Sequence, residues 1–257
     1  MTAAAGLVWH QLRFDVLVFW RSPASVFFTV LLPIIFLVIF QGLFGDESLP
    51  ELGISVSTYY VPGILTLAIV SATTQSLAMN LTVDRESGRL KRVRATPLPA
   101  WVFVAGRVGN SFVTCVLMVV LVTAMGAVFY GVDVPTKTIP ALLVSLLVIA
   151  FAFSSLGFAL AAVIPSEESA APIANVALLP LYFLSGVFIP ESEIPDGVLK
   201  VAEVFPVRHA FEAMLTVFDP ATTGAGFEWG NLAIVALWGI AGLLVALRAF
   251  RWAPRRP

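Results

Sequence analysis

Apolar and polar positions along the 257 residues fall into blocks rather than alternating. Six stretches, 24–45, 52–83, 108–132, 138–166, 169–190 and 229–247, contain no Asp, Glu, Lys or Arg and together hold 149 residues. About 20 apolar residues of helix cross the ~30 Å hydrocarbon layer, so each stretch is long enough to span it. A transmembrane barrel would show ten-residue segments of alternating polarity, which these runs lack. Lipid obliges the backbone to satisfy its own hydrogen bonds. The pattern therefore predicts an all-α integral membrane protein with six transmembrane helices, at about 24–44, 59–83, 101–130, 138–164, 170–189 and 229–249. With no repeat period and no low-complexity tract, residues 1–257 read as one membrane domain.

Before the first span, Val8, Leu12, Val16 and Phe19 recur at helical spacing, with His10, Arg13 and Arg21 on a neighbouring face. This predicts an interfacial amphipathic helix over about 4–21, with an extension of the first span as the simpler alternative. Pro23 marks the break after it, and Pro33, Pro172 and Pro180 predict kinks or irregular turns inside the first and fifth spans. Two connections are long: the charge-dense 84–99 and the segment 190–228. In the latter, Val198, Val201, Ala202 and Phe205, then Ala210, Phe211, Met214 and Leu215, predict two short helices broken by Pro206. These rest on or dip into the outer leaflet.

Composition agrees: 59% of residues are apolar, 12% are charged and the mean hydropathy is +0.94. A soluble domain carries roughly twice that charge. The first apolar run is too long for a cleaved secretion signal and lacks a small-x-small cleavage site. Cys115, the single cysteine, lies inside a span and reads as inert packing. With the N-terminus cytoplasmic and six spans, 12 of the 15 basic residues lie inside and eleven of the 16 acids outside. The positive-inside rule thus predicts two cytoplasmic termini and a plasma-membrane, multi-pass protein. The loop Ser166-Glu167-Glu168 is discordant, being inside without a base.

The catalytic inventory is nearly empty. There are two distant histidines, no HExxH, no G-x-S-x-G, no paired cysteines and no GxxxxGK[ST]. The chain therefore reads as neither an enzyme nor a nucleotide-binding subunit, and nothing in it points to nucleic acid. Span interiors without ionisable side chains also argue against proton or ion coupling. Any transport would draw energy from another polypeptide. The segment 84–99 is the candidate contact. Read as one helix over about 84–95, it sets Arg85, Arg89 and Arg92 on one face and Leu90 with Val93 as a small apolar contact. The alternative is a basic loop anchored to anionic headgroups.

The phrase Arg85-Glu86-Ser87-Gly88-Arg89-Leu90, continued by Thr96-Pro97-Leu98, resembles the cytoplasmic R-E-x-G-x-L…T-P-L segment of type-2 ATP-binding-cassette (ABC) exporter permeases. Pro180-Leu181-Tyr182-Phe183-Leu184-Ser185-Gly186-Val187-Phe188-Ile189-Pro190, followed by Ile194-Pro195 and Phe205-Pro206, resembles their P-L-x-F-L-S-G-x-F-x-P signature. The likeness is greatest to the drug and antibiotic-resistance branch typified by daunorubicin exporter membrane subunits.

The resemblance implies a permease that pairs with a second permease chain, identical or not, and binds two copies of a separate cytoplasmic ATPase. ATP and Mg²⁺ belong to that partner, and this chain carries no cofactor. Arg85, Glu86, Gly88, Arg89 and Leu90 would form a coupling helix seated in the ATPase. Pro180, Phe183, Ser185, Gly186, Phe188 and Pro190 would line or gate the path. The plainer readings are that Gly88 eases a turn and that Ser185-Gly186 permits close packing. Phe27, Phe28, Phe36, Phe40, Tyr182, Phe183 and Phe188 would give an apolar aromatic cavity suited to a hydrophobic or amphipathic compound. Export of a polysaccharide or lipid-linked glycan, and a non-transporting scaffold docking a cytoplasmic partner, are the competing functions.

Overall fold

The computed structural model describes residues 2–44, 48–49, 53–189, 194–250 and 252–253. The described residues are mostly helical. In chain order these are α1 (Thr2–Trp20), α2 (Pro23–Val26), a π-helical turn (Phe27–Leu31) and α3 (Leu32–Phe44). A two-residue ribbon then pairs β1 (Ser48–Leu49) with β2 (Ile54–Ser55), antiparallel. There follow α4 (Val56–Val70), a second π turn (Ser71–Gln75), α5 (Ser76–Glu86), α6 (Arg89–Arg94), α7 (Ala100–Tyr130) and α8 (Ile139–Val163). The chain continues through α9 (Glu167–Leu184), α10 (Asp196–Ala202), α11 (Pro206–Phe218) and α12 (Trp229–Ala249).

Among the described residues, four helices are long and apolar enough to cross a membrane: Val56–Glu86, Ala100–Tyr130, Ile139–Val163 and Trp229–Ala249. They coincide with the second, third, fourth and sixth expected spans. The first corresponds to a shorter apolar helix, Thr29–Phe44. The fifth corresponds to α9, which ends five residues before the expected 189 because Gly186 takes φ +87°.

The centre of the bundle is α4, every residue of which is buried. Its apolar and aromatic side chains leave no polar face to turn outward, so α3, α7, α8 and α11 pack around it. Ser55 starts α4, its hydroxyl accepting from the Thr58 N–H at 3.1 Å. The α8–α12 seam is tight: a Cβ at Gly239 or Gly242 would meet Ala152 or Leu156. Small residues let two backbones approach where lipid gives no hydrophobic drive.

The stripe Val8, Leu12, Val16 and Phe19 packs toward the bundle, with Leu12 against Gly109 of α7. Its outer face mixes Trp9, Phe14, Leu17 and Trp20 with His10 and Arg13, residue types that suit the interface. The proline expectations divide. The first π turn lies one turn before Pro33, whose ring would meet the Thr29 carbonyl. By contrast α9 runs on as a helix through Pro172 and Pro180, both exposed, although each removes a backbone donor. The second π turn contains no proline. It carries Thr73 and Thr74, whose hydroxyls donate to Ile69 O and to Phe153 O of α8.

Segment 194–228 also departs from expectation. Two helices form, with Pro206 opening the second. However, α11 is not laid on a leaflet: ten of its 13 residues are buried against α4, α8 and α12. Among them Arg208 pairs with Glu212 at 2.8 Å, and the His209 ring lies 2.9 Å from Asn231 Oδ1 and 2.7 Å from Glu203 O.

Candidate functional site: the charged end of the bundle and the turn after α9

The segment expected as one helix over 84–95 is two. Helix α5 stops at Glu86, Ser87 and Gly88 turn, and α6 begins at Arg89. Gly88 adopts φ +70°, with open space around it, so its role here is the left-handed turn itself. The break overturns the shared face of Arg85, Arg89 and Arg92, because the turn re-aims the chain between the first and the second.

The five residues of the expected coupling helix therefore separate. Arg85 is buried to 1% exposure, donating to Ala161 O at 2.8 Å and Ile164 O at 2.7 Å. Those carbonyls end α8, where intrahelical donors run out, so Arg85 serves as the C-terminal partner of a neighbouring helix. Its Nε also donates to Glu86 at 2.7 Å. Leu90 is fully buried with Leu77, Leu81, Phe103 and Phe158. Arg85 and Leu90 thus face the bundle's own core, which corrects their expected place on a docking surface. Arg89 is 56% exposed and reaches back to Asp84 at 2.9 Å. Lys91, Arg92 and Arg94 project outward. The exposed face of α6 is uniformly basic.

Beneath it lies a paired charge cluster that the sequence reading did not assemble. Asp84 accepts from Arg89 and from Arg107 of α7, and Arg107 lies 3.6 Å from Asp15 of α1. Asp15, Arg107, Asp84 and Arg89 so link α1, α5, α6 and α7, and the separate Arg85–Glu86 pair ties α5 to the end of α8. Pairing is what makes burial of such charges tolerable. Burial raises the Asp15 carboxyl above its ordinary range, against the pull of Arg107 and a hydrogen bond from Gln11. The available signal was Asp15 itself, an acid one residue from the apolar stripe of α1.

The acids of Ser166-Glu167-Glu168 have a local partner instead of a base. They occupy the first turn of α9, where Ser166 and Ser169 form a reciprocal cap. The exposed N–H groups and the dipole of that turn favour negative charge.

At the other end of α9, Gly186 accepts from Tyr59 Oη at 2.6 Å, and Phe188 O accepts from Tyr60 Oη at 3.3 Å. A Cβ at Gly186 would meet the Phe211 ring at 3.3 Å, so both its backbone angle and its packing call for glycine. Ser185 is buried, its hydroxyl donating to Tyr182 O at 2.8 Å. Pro180 and Phe183 are exposed, Phe183 to 52%. Pro190 lies outside the described residues.

Of the seven expected cavity aromatics, Phe36, Phe40, Phe183 and Phe188 meet: Phe188 is 5.9, 5.8 and 5.2 Å from Phe36, Phe40 and Phe183. They pack as rings on rings rather than around a void. Tyr182 departs to the core and pairs with Ser71 at 3.1 Å. Phe27 is in the first π turn, and the Phe28 side chain lies outside the described set. Gln75, which donates to Asn175 of α9 at 2.8 Å, is a further polar tie that sequence reasoning passed over.

A bundle with four helices long and apolar enough to cross a membrane is that of an integral membrane protein. The family model described as "ABC-2 type transporter" matches residues 7–218, and the chain belongs to that family of membrane permeases. Similar proteins include the daunorubicin resistance ABC transporter permease protein DrrB1 of Streptomyces coeruleorubidus, 25% identical over 82% of this chain and 74% of that protein. The inner membrane transport permease YadH of Escherichia coli strain K12 is 24% identical over 82% and 77%. The putative transport permease YvfS of Bacillus subtilis strain 168 is 22% identical over 88% and 89%.

Proposed function

We propose that this chain is the membrane subunit of an ATP-driven exporter that moves a hydrophobic or amphipathic compound out across the plasma membrane. Two permease chains bind two copies of a separate ABC ATPase, with both termini and α6 in the cytoplasm. The observation that carries the reading is α6 itself. This six-residue helix is held by Leu90 in the core and by the Arg89–Asp84 pair, and it turns Lys91, Arg92 and Arg94 outward. It is anchored to α5, and through Asp84 and Arg107 to α7, so a push on it reaches two spans. The exposed apolar side of α9 supports an apolar cargo.

The test is charge reversal on the outward face. Lys91→Glu with Arg92→Glu is expected to release the ATPase on co-purification and abolish transport, because acids there would meet like charge on a partner surface complementary to the basic face. Thermal unfolding of the permease alone should not move. Retention of the ATPase together with normal transport refutes the reading.

A further inference from the structure

Between α7, α8 and α12 runs a groove of about 850 Å³. Its lining includes Trp101, Val104 and Phe112 of α7, Leu147 and Phe151 of α8, and Leu247 of α12. The one hydroxyl on the described lining, Ser155, already donates to Phe151 O at 3.0 Å. At ~30 Å³ per liquid water the groove has room for about thirty, yet a held water needs two to four polar partners. The walls offer almost none, so the occupant is apolar. Phe151 at 58% and Leu247 at 75% exposure show that the groove opens sideways, toward the surface that a membrane helix turns to lipid.

One end of the groove has the chemistry of a headgroup layer. Trp101 sits in the first turn of α7 and Trp252 just beyond α12, both on the lining, and tryptophan settles where acyl chains give way to headgroups. Arg248 follows Leu247 by one position and is exposed in the last turn of α12. An apolar slot beside an aromatic and cationic rim matches long apolar tails attached to an anion.

We propose that this groove is a binding site for an anionic phospholipid, its acyl chains between α7, α8 and α12 and its headgroup at the Arg248 end. The inference rests on membrane insertion alone and not on the cargo, direction or ATPase proposed above.

The full chain in liposomes with the same lipids in both leaflets tests it, using phosphatidylglycerol or phosphatidylcholine with a photoactivatable diazirine tail. Crosslinked peptides are then mapped by mass spectrometry. Phosphatidylglycerol is expected to label peptides 101–112, 147–151 and 243–250 about five-fold more than phosphatidylcholine. Val176 and Leu179 on the exposed side of α9 should show no such preference. Arg248→Gln should remove most of the preference and leave phosphatidylcholine labelling unchanged. Ala105→Phe, which fills the groove, should suppress labelling by both. Where that variant unfolds, Leu247→Trp fills the same space from an exposed position. Equal labelling by the two lipids, or a preference that survives both Arg248→Gln and filling, overturns the proposal.

Discussion

Replacing Arg85 by Met separates a structural role from a docking role. The substitution keeps an unbranched side chain of similar reach and removes every donor. Ala161 O and Ile164 O then lose partners at 2.8 and 2.7 Å, and Glu86 loses its ion pair. Hydrogen bonds from a charged donor contribute about 1.5–3 kcal/mol each, so the two carbonyl bonds set a scale of about 3–6 kcal/mol. Breaking a buried pair costs about 3–5 kcal/mol. Glu86 keeps 15% exposure and regains some hydration, which favours the lower part of that range. Arg89→Met is the control: with Arg89 56% exposed, its pair with Asp84 contributes about 0–1 kcal/mol. The assay is thermal unfolding of the permease in nanodiscs without any partner. At about 2–4 °C per kcal/mol for a chain of this size, Arg85→Met should lower Tm by roughly 6–15 °C and Arg89→Met by less than about 4 °C. A residue that only met an ATPase would leave the isolated permease unchanged. Arg85→Met melting within the range of Arg89→Met would refute the assignment of Arg85 to the α5–α8 joint.

Two further outcomes follow from the same geometry. Burial raises the Asp15 pKa in the fold, so the stabilisation linked to its protonated form is complete below about pH 4, its unfolded value, and is lost as pH rises through the folded value. Asp15→Asn should therefore be more stable than the parent at pH 7, with the advantage shrinking on acidification; a pH series of unfolding midpoints that shows no convergence would contradict this. Gly186→Ala must hold φ +87° and press on Phe211, and is expected to cost at least about 1–2 kcal/mol, whereas Gly197→Ala, with nothing within 4 Å, should be nearly silent. Comparing the two melting temperatures decides it.

The order of residues is enough to identify the solvent of this protein and most of its helices. Long uncharged runs have only one low-energy home, and four of them coincide with the longest apolar helices in the structure. It also marked the apolar stripe of α1 and the helix opened by Pro206, since both depend on spacing and proline geometry within one element. Tertiary structure decided which residues of each motif face the protein and which face outward. Arg85 and Arg89 are four positions apart and would share a face in a continuous helix. Gly88 interrupts that helix, one arginine caps α8 and the other meets solvent. The same holds for Leu90, Tyr182 and the helix α11, whose partners come from segments far away in the chain. Local pattern reports that a side chain is apolar or charged. Only the packed bundle fixes which carbonyl, ring or carboxylate stands opposite it, because that choice minimises unpaired polar groups over the whole molecule at once.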